Sequence, residues 1–178
     1  MRDVLVVIDL FQDFGHEDGE QLLASLESRR DAIARVLEDA RSTEVPVIFV
    51  NDHPGVWNSD ARRIVADALS GPGGDHLRAF VPQPGERIVL KPRYSAFDHT
   101  PLTILLQDLA CERLVLIGMT TEGCIAQSAI DARELGYKVS VVAAASGTTD
   151  DRLQRIALEY LEKVVGAHLI GEDAFTRG

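Results

Sequence analysis

Five polar or reactive side chains fall where buried apolar runs stop. Asp9 follows Val4-Leu5-Val6-Val7-Ile8, Asn51 and Asp52 follow Pro46-Val47-Ile48-Phe49-Val50, and Lys91 follows Arg87-Ile88-Val89-Leu90. Cys124 comes shortly after Arg113-Leu114-Val115-Leu116-Ile117, inside Gly118-Met119-Thr120-Thr121-Glu122-Gly123-Cys124. A thiol at the N-terminus of a helix feels the positive end of the helix dipole, which favours thiolate, and a neighbouring ammonium lowers its pKa further. The glycines of this turn let backbone amides come close enough to a substrate to form an oxyanion hole. Cys111, in Asp108-Leu109-Ala110-Cys111, has none of these surroundings and reads as packing. Taken singly, a strand-end carboxylate is ordinarily a cap and a lysine ordinarily lies on the surface. It is their convergence that gives them meaning.

That convergence depends on the elements carrying them. Continuous β-branched apolar runs suit parallel strands covered on both faces. Five such strands are predicted, near 4–8, 46–50, 87–90, 113–117 and 138–142, with a short sixth at 167–170. Helices are predicted over 21–42, 62–69, 102–109, 124–135 and 151–164 from their apolar spacing. Pro101 at a first helical position and Gly136 as a C-cap set two of the boundaries. Strands alternating with helices imply parallel βαβ units with right-handed crossovers. The expected fold is a single three-layer α/β/α domain spanning 1–178, with a five- or six-stranded mainly parallel sheet. In such sheets ligands bind outside the carboxyl ends of the strands, which places all five side chains on one rim.

Composition narrows the function. The chain has 178 residues, and its 18 Lys+Arg against 28 Asp+Glu give a formal charge of -10. A nucleic-acid binder needs a basic surface to neutralise phosphates, and a polybasic membrane anchor needs the same sign of charge. Neither partner is expected. No apolar run approaches the roughly 20 residues that span a bilayer, and the strand-like segment starting at Val4 leaves no room for a signal peptide. Two cysteines make neither a disulfide framework nor a zinc-ligand set, so a reducing, cytoplasmic setting is expected.

Three ordered blocks resemble the isochorismatase-like cysteine hydrolases, a superfamily that includes nicotinamidases, N-carbamoylsarcosine amidases and ureido hydrolases. Val7-Ile8-Asp9-Leu10-Phe11-Gln12-Asp13-Phe14 resembles the family's opening IDxQxDF, with the glutamine shifted by one position. Lys91-Pro92-Arg93-Tyr94-Ser95-Ala96-Phe97-Asp98-His99-Thr100-Pro101-Leu102 is similar to KxxxSAFxGTxL, with His99 in place of the usual glycine. Gly118 to Ile125, followed by Ser128-Ala129-Ile130-Asp131-Ala132 and Gly136-Tyr137, is similar to GxxTDxCVxxTAxDAxxxGY. The resemblance covers almost the whole chain. It implies a catalytic triad of Cys124, Asp9 and Lys91, an oxyanion hole from the backbone amides of Thr120 and Cys124, and a cis peptide at Met119-Thr120. The chemistry implied is hydrolysis of a small-molecule amide or ureido C–N bond through a thioester, with Asp9 as base and then acid.

Two departures bear on the substrate. Nicotinamidase-like members hold a metal through an Asp-x-His arrangement after the second strand, whereas here Asp52 and His53 are adjacent. No metal and no cofactor are therefore expected. The stretch instead resembles NDxxGxWxSD of a less characterised branch. Where many members carry an acidic residue after the fifth strand, this chain reads Ala143-Ala144-Ala145. Phe14, Asn51, Trp57, Tyr94 and Phe97 are candidate substrate contacts, each of which could equally be packing. Two other readings stand beside the amidase: vinyl-ether hydrolysis of an isochorismate-like acid, and a non-catalytic binding protein on the same fold. A Cys124–His99 dyad is an alternative to the lysine triad. A homo-oligomer, at least a dimer, is expected from the family and from the apolar content of 124–135.

Overall fold

The computed structural model describes residues 1–53, 55 and 60–175. Six strands form one sheet: β1 (Asp3–Ile8), β2 (Val47–Asp52), β3 (Arg87–Lys91), β4 (Arg113–Gly118), β5 (Lys138–Ser146) and β6 (His168–Ile170). Their order is β3-β2-β1-β4-β5-β6, and every pairing is parallel. The helices are α1 (Gly19–Ser42), α2 (Ala61–Ser70), the short α3 (Gly74–Leu77), α4 (Leu102–Asp108), α5 (Ala126–Glu134) and α6 (Asp151–Tyr160). The expected three-layer architecture is therefore present, in its six-stranded, wholly parallel form.

Strand periodicity divides the core in two. Leu5, Val7, Phe49, Val115 and Ile117 point to one side, where they meet Leu26, Ile33 and Leu37 of α1. Val4, Val6, Ile8, Ile48, Val50, Leu114 and Leu116 point to the other, against Leu102 and Leu106 of α4 and Ala129 and Ala132 of α5. Successive strand residues alternate between faces, so an unbroken apolar run is what a doubly covered strand requires.

Three element ends differ from expectation. The helix predicted over 124–135 begins with a π-helical turn, Thr121–Ile125, before α5 proper. The helix predicted over 151–164 likewise ends in a π-helical turn, Leu161–Val165, closed by Gly166 in the left-handed conformation. Apolar spacing does not separate a π turn from an α turn over so few residues. The fifth strand also runs further than predicted, to Ser146, because Gly118 and Ser146 remain paired past a register shift.

The chain winds outward from β1 through β2 to β3, then returns to the opposite side of β1 for β4. The switch in direction lies between β1 and β4, where a crevice must open above their carboxyl ends. Gly118 fixes how closely these ends approach. It pairs with Ile8, its φ is 122°, and a Cβ placed on it would lie 1.9 Å from the Ile8 carbonyl oxygen. Only glycine fits this position.

Candidate active site

Asp9 is the first residue beyond β1 and takes a φ of 48°, in the left-handed region that Asp tolerates better than most side chains. Its N–H donates to the Val50 carbonyl at 2.8 Å. Its Oδ1 accepts from the Asp52 N–H at 2.7 Å, and its Oδ2 lies 2.7 Å from Lys91 Nζ. The carboxylate is thus held from two directions by the adjoining strands.

Lys91 ends β3, two strands from β1, and its long stem spans the gap. Although charged, it is only 1% exposed. An ammonium has three N–H donors, and here each has an acceptor: Asp9, the Arg93 carbonyl at 2.9 Å and Cys124 Sγ at 3.4 Å. A buried charge is tolerable when paired and hydrogen-bonded in this way. Burial alone would lower the Lys91 pKa, but the charges and hydrogen bonds of Asp9 and Cys124 outweigh it and raise the value. Burial likewise raises the Asp9 pKa, against the opposing pull of Lys91 and the hydrogen bonds from Cys124, Lys91 and Asp52.

Cys124 sits in the π turn and is hydrogen-bonded to Asp9 as well as to Lys91. Its thiol differs from expectation. Burial pushes its pKa up to about 12, and the negative charge of Asp9 adds to this, while Lys91 pulls the other way. Burial and the neighbouring Asp9 both favour the neutral thiol, against the pull of Lys91 toward thiolate. The π turn and the partial burial of the sulfur explain the difference: the thiol lies within the element, where desolvation outweighs the field of the helix end.

The surrounding turn is tied down on every side. Ser128 Oγ donates to the Cys124 carbonyl at 2.6 Å and accepts the Ala96 N–H at 2.9 Å, joining the nucleophile turn to the segment after Lys91. Thr121 donates through both N–H and Oγ1 to the Gly147 carbonyl. Glu122 Oε1 accepts from the N–H and hydroxyl of Thr149. The Met119-Thr120 peptide is cis. Among the described residues the Thr120 N–H, immediately beyond that bond, meets no acceptor.

Asp9, Lys91, Thr120 and Cys124 line one cleft of about 630 Å³, a volume suited to a small molecule. The candidate contacts fare differently. Asn51 and Tyr94 line the cleft. Phe14 is instead buried in the α1 side of the core, its ring beneath Gly73. Phe97 faces a neighbouring depression and stacks on Tyr137, with ring centroids 6.3 Å apart. Both are apolar rings with a core surface nearby, which draws them from the rim. Trp57 lies outside the described residues. His99 is exposed, bonded through Nδ1 to Asp98, and does not line the cleft. Arg63, Asp67, His16 and Arg93 do line it. They were not anticipated because they lie on loops and on α2, where no apolar pattern indicates which way a side chain faces. The Asp52-Asp9 contact was also unforeseen, since a backbone donor leaves no trace in residue type.

Among the described residues, no three His, Cys, Asp or Glu side chains gather where they could hold a metal ion. His53 is buried while Asp52 is exposed, so adjacent residues at this strand end face apart. The donor set does not fit a nicotinamidase-type ion. Among the described residues no helix is long and apolar enough to cross a membrane.

Comparison with known proteins agrees with this architecture. The isochorismatase domain matches residues 3–173. The isochorismatase family protein YaaI of Bacillus subtilis is 27% identical over 169 residues, covering 95% of this chain and 93% of that protein. Maleamate amidohydrolase of Pseudomonas putida is 29% identical over 150 residues, covering 79% and 70%. The crystal structure of N-carbamoylsarcosine amidase from Thermoplasma acidophilum superposes with a TM-score of 0.75 at 25% identity, covering 100% of both chains. The chain belongs to the isochorismatase family, whose nicotinamidase and amidohydrolase members are hydrolases.

Proposed function

We propose that the protein is a cysteine hydrolase of a small-molecule amide or ureido C–N bond, with Cys124, Asp9 and Lys91 as its catalytic residues. The observation carrying this reading is the Lys91 ammonium, which bridges Asp9 at 2.7 Å and Cys124 Sγ at 3.4 Å on the floor of the cleft. The likeness to an amidohydrolase and an amidase supports the same bond type.

The resting state pairs a neutral thiol with a charged Asp9–Lys91 couple. As Sγ attacks the substrate carbonyl, its proton passes to Asp9 and an S–C bond forms. The carbonyl oxygen gains negative charge, which the N–H groups of Thr120 and Cys124 receive. Asp9 then delivers the proton to the departing nitrogen, the C–N bond breaks, and a thioester remains. Water attacks the thioester while Asp9 takes its proton. The C–S bond breaks, the acid leaves, and the proton returns from Asp9 to sulfur. Lys91 keeps Asp9 ionised within a buried site and lies beside the sulfur while it is negative.

A screen of small amides and ureides for ammonia release, with mass spectrometry of the trapped acyl-enzyme, tests the proposal. Ammonia release together with an adduct on Cys124 is the expected result. Pyruvate release from isochorismate without such an adduct would replace it with vinyl-ether hydrolysis. Full function after alkylation of Cys124 would replace it with a binding role.

A further inference from the structure

The Thr120 N–H stands between two anchored neighbours. The Met119 N–H donates to the Ile8 carbonyl at 2.8 Å, and the Thr121 N–H donates to the Gly147 carbonyl at 2.7 Å. Between them the Thr120 N–H meets no acceptor among the described residues. The first anchor continues the β1–β4 ladder. The second lies beyond the end of β5 and is held by side chains from outside the cleft.

A single side-chain amide grips both sides of that second contact. Gln154, on the inward face of α6, is 8% exposed and does not line the cleft. Its Nε2 donates to Thr121 Oγ1 at 2.9 Å and to the Ser146 carbonyl, next to Gly147, at 2.7 Å. The Thr121 hydroxyl gives its only hydrogen to the Gly147 carbonyl, at 2.9 Å. It can therefore only accept from Gln154. The orientation of the amide is set from α1. Arg29 Nη2 donates to Gln154 Oε1 at 2.9 Å, and Arg29 Nε to the Ser146 carbonyl at 2.7 Å. A reversed amide would set its NH2 against the guanidinium and its oxygen against the Ser146 carbonyl. Donors thus run in one direction, from Arg29 through Gln154 and Thr121 to Gly147.

We infer that Gln154, oriented by Arg29, is a positioning residue for the oxyanion hole. It touches no substrate. By clamping Thr121 onto Gly147 it keeps the neighbouring Thr120 N–H directed into the cleft. This role rests on the hydrolase function proposed for Cys124, in which that N–H receives the negative carbonyl oxygen. Donors held in place beforehand stabilise the charge that develops in the transition state. A displaced donor loses part of that effect while the ground-state substrate binds as before.

Gln154→Glu tests the role. The carboxylate keeps the size of the side chain and gains an ion pair with Arg29, so circular dichroism should report an unchanged fold. It has no hydrogen for Thr121 or for the Ser146 carbonyl, and it draws the Thr121 hydroxyl away from Gly147. On an amide or ureide that the protein hydrolyses, kcat and kcat/KM should both fall about 10- to 100-fold with KM unchanged, short of the roughly 10²–10³ lost when an oxyanion donor is removed outright. Alkylation of Cys124 by iodoacetamide forms no oxyanion and should keep its wild-type rate. Hydrogen exchange followed by NMR should show the Thr121 N–H exchanging at least about tenfold faster, with the amides of β1 and β4 unchanged. Arg29→Met, which frees the amide to turn, should shift turnover and exchange the same way by a smaller factor, and it decides if Gln154→Glu does not fold. Wild-type turnover in Gln154→Glu would overturn the inference. So would alkylation slowed as much as turnover, which would make Gln154 a support for the whole fold. A wild-type protein that hydrolyses no amide or ureide would end the hydrolase reading instead, and the Thr121 exchange would then decide by itself whether Gln154 holds this turn.

Discussion

Asn51 and Phe11 exchange two hydrogen bonds. The Phe11 N–H donates to Asn51 Oδ1 at 3.0 Å, and Asn51 Nδ2 donates to the Phe11 carbonyl at 2.6 Å. A side-chain amide at the end of β2 thereby replaces the strand partner that the backbone beyond β1 has lost. The segment carrying Asp9 remains in place although its ladder has ended.

Removing that amide should loosen the segment. Asn51→Ala leaves a buried N–H and carbonyl without partners, at a cost of about 1–3 kcal/mol for each unsatisfied group. The unfolding midpoint should fall by roughly 5 °C or more, given about 2–4 °C per kcal/mol for a chain of this size. Differential scanning calorimetry measures it directly, and an unchanged midpoint would mean that water takes over both bonds.

Cys124→Ala should abolish turnover and leave no acyl-enzyme in the mass spectrum, because it removes the sulfur that forms the thioester and no second thiol lines the cleft. Residual hydrolysis above background would end the thioester scheme.

Asp9→Asn separates two effects that run in opposite directions. Losing the base should lower turnover by about 10²–10⁴. Yet burial is the main cause and Asp9 the second cause of the high thiol pKa of about 12. Without the carboxylate, Lys91 is left to favour thiolate, so iodoacetamide should alkylate Cys124 faster in Asp9→Asn than in the wild type at neutral pH. A slower rate in the variant would show that Asp9 draws off the proton during alkylation as well.

Lys91→Met should slow the same alkylation, since Lys91 lowers the thiol pKa. It should also make stability depend on pH. The Asp9 pKa is already raised in the folded state by burial, and Lys91 is what opposes the rise. Without the lysine it climbs further. A carboxyl whose folded pKa exceeds its unfolded value of 3.8 contributes stability below that value and loses it as pH rises through the folded pKa. The midpoint deficit of Lys91→Met relative to the wild type should therefore be small in acid and widen toward neutral pH. Thermal melts across that range would contradict this if the deficit stayed constant.

Gly118→Ala should destabilise by about 2–4 kcal/mol, because the added methyl meets the Ile8 carbonyl and the positive φ is strained for alanine. Denaturant titration reads the loss.

Much of this molecule is legible in residue order. The apolar runs at Val4–Ile8 and Leu114–Ile117 announce doubly covered strands, and the rule for parallel sheets brings Asp9, Lys91 and Cys124 to one rim. What order alone leaves open is the balance of forces once they meet. The thiol was expected to be acidic because a helix end and an ammonium both act that way; the depth of its burial and the proximity of Asp9 emerge only from packing. Lys91 reads as a surface residue by type, and its burial follows from three acceptors, two of them far away in sequence. Phe14 and Phe97 lie beside the functional blocks yet turn toward apolar neighbours that sequence adjacency does not reveal.

The Asp52 N–H that holds Asp9 belongs to the residue standing opposite Lys91 in the β2–β3 pairing, and Ile8 stands opposite Gly118 in the β1–β4 pairing. The relative positions of acid, ammonium and thiol are therefore counted off along backbone ladders. A strand behaves as a ruler with a two-residue graduation, and one residue inserted within it turns every later side chain to the other face. The turn at Gln83–Glu86 lies outside the rulers, so lengthening it should leave the register of the site intact. A single-residue insertion within Val47–Asp52 or Arg87–Lys91 should abolish catalysis, because it turns the Asp52 N–H or the Lys91 side chain away from Asp9.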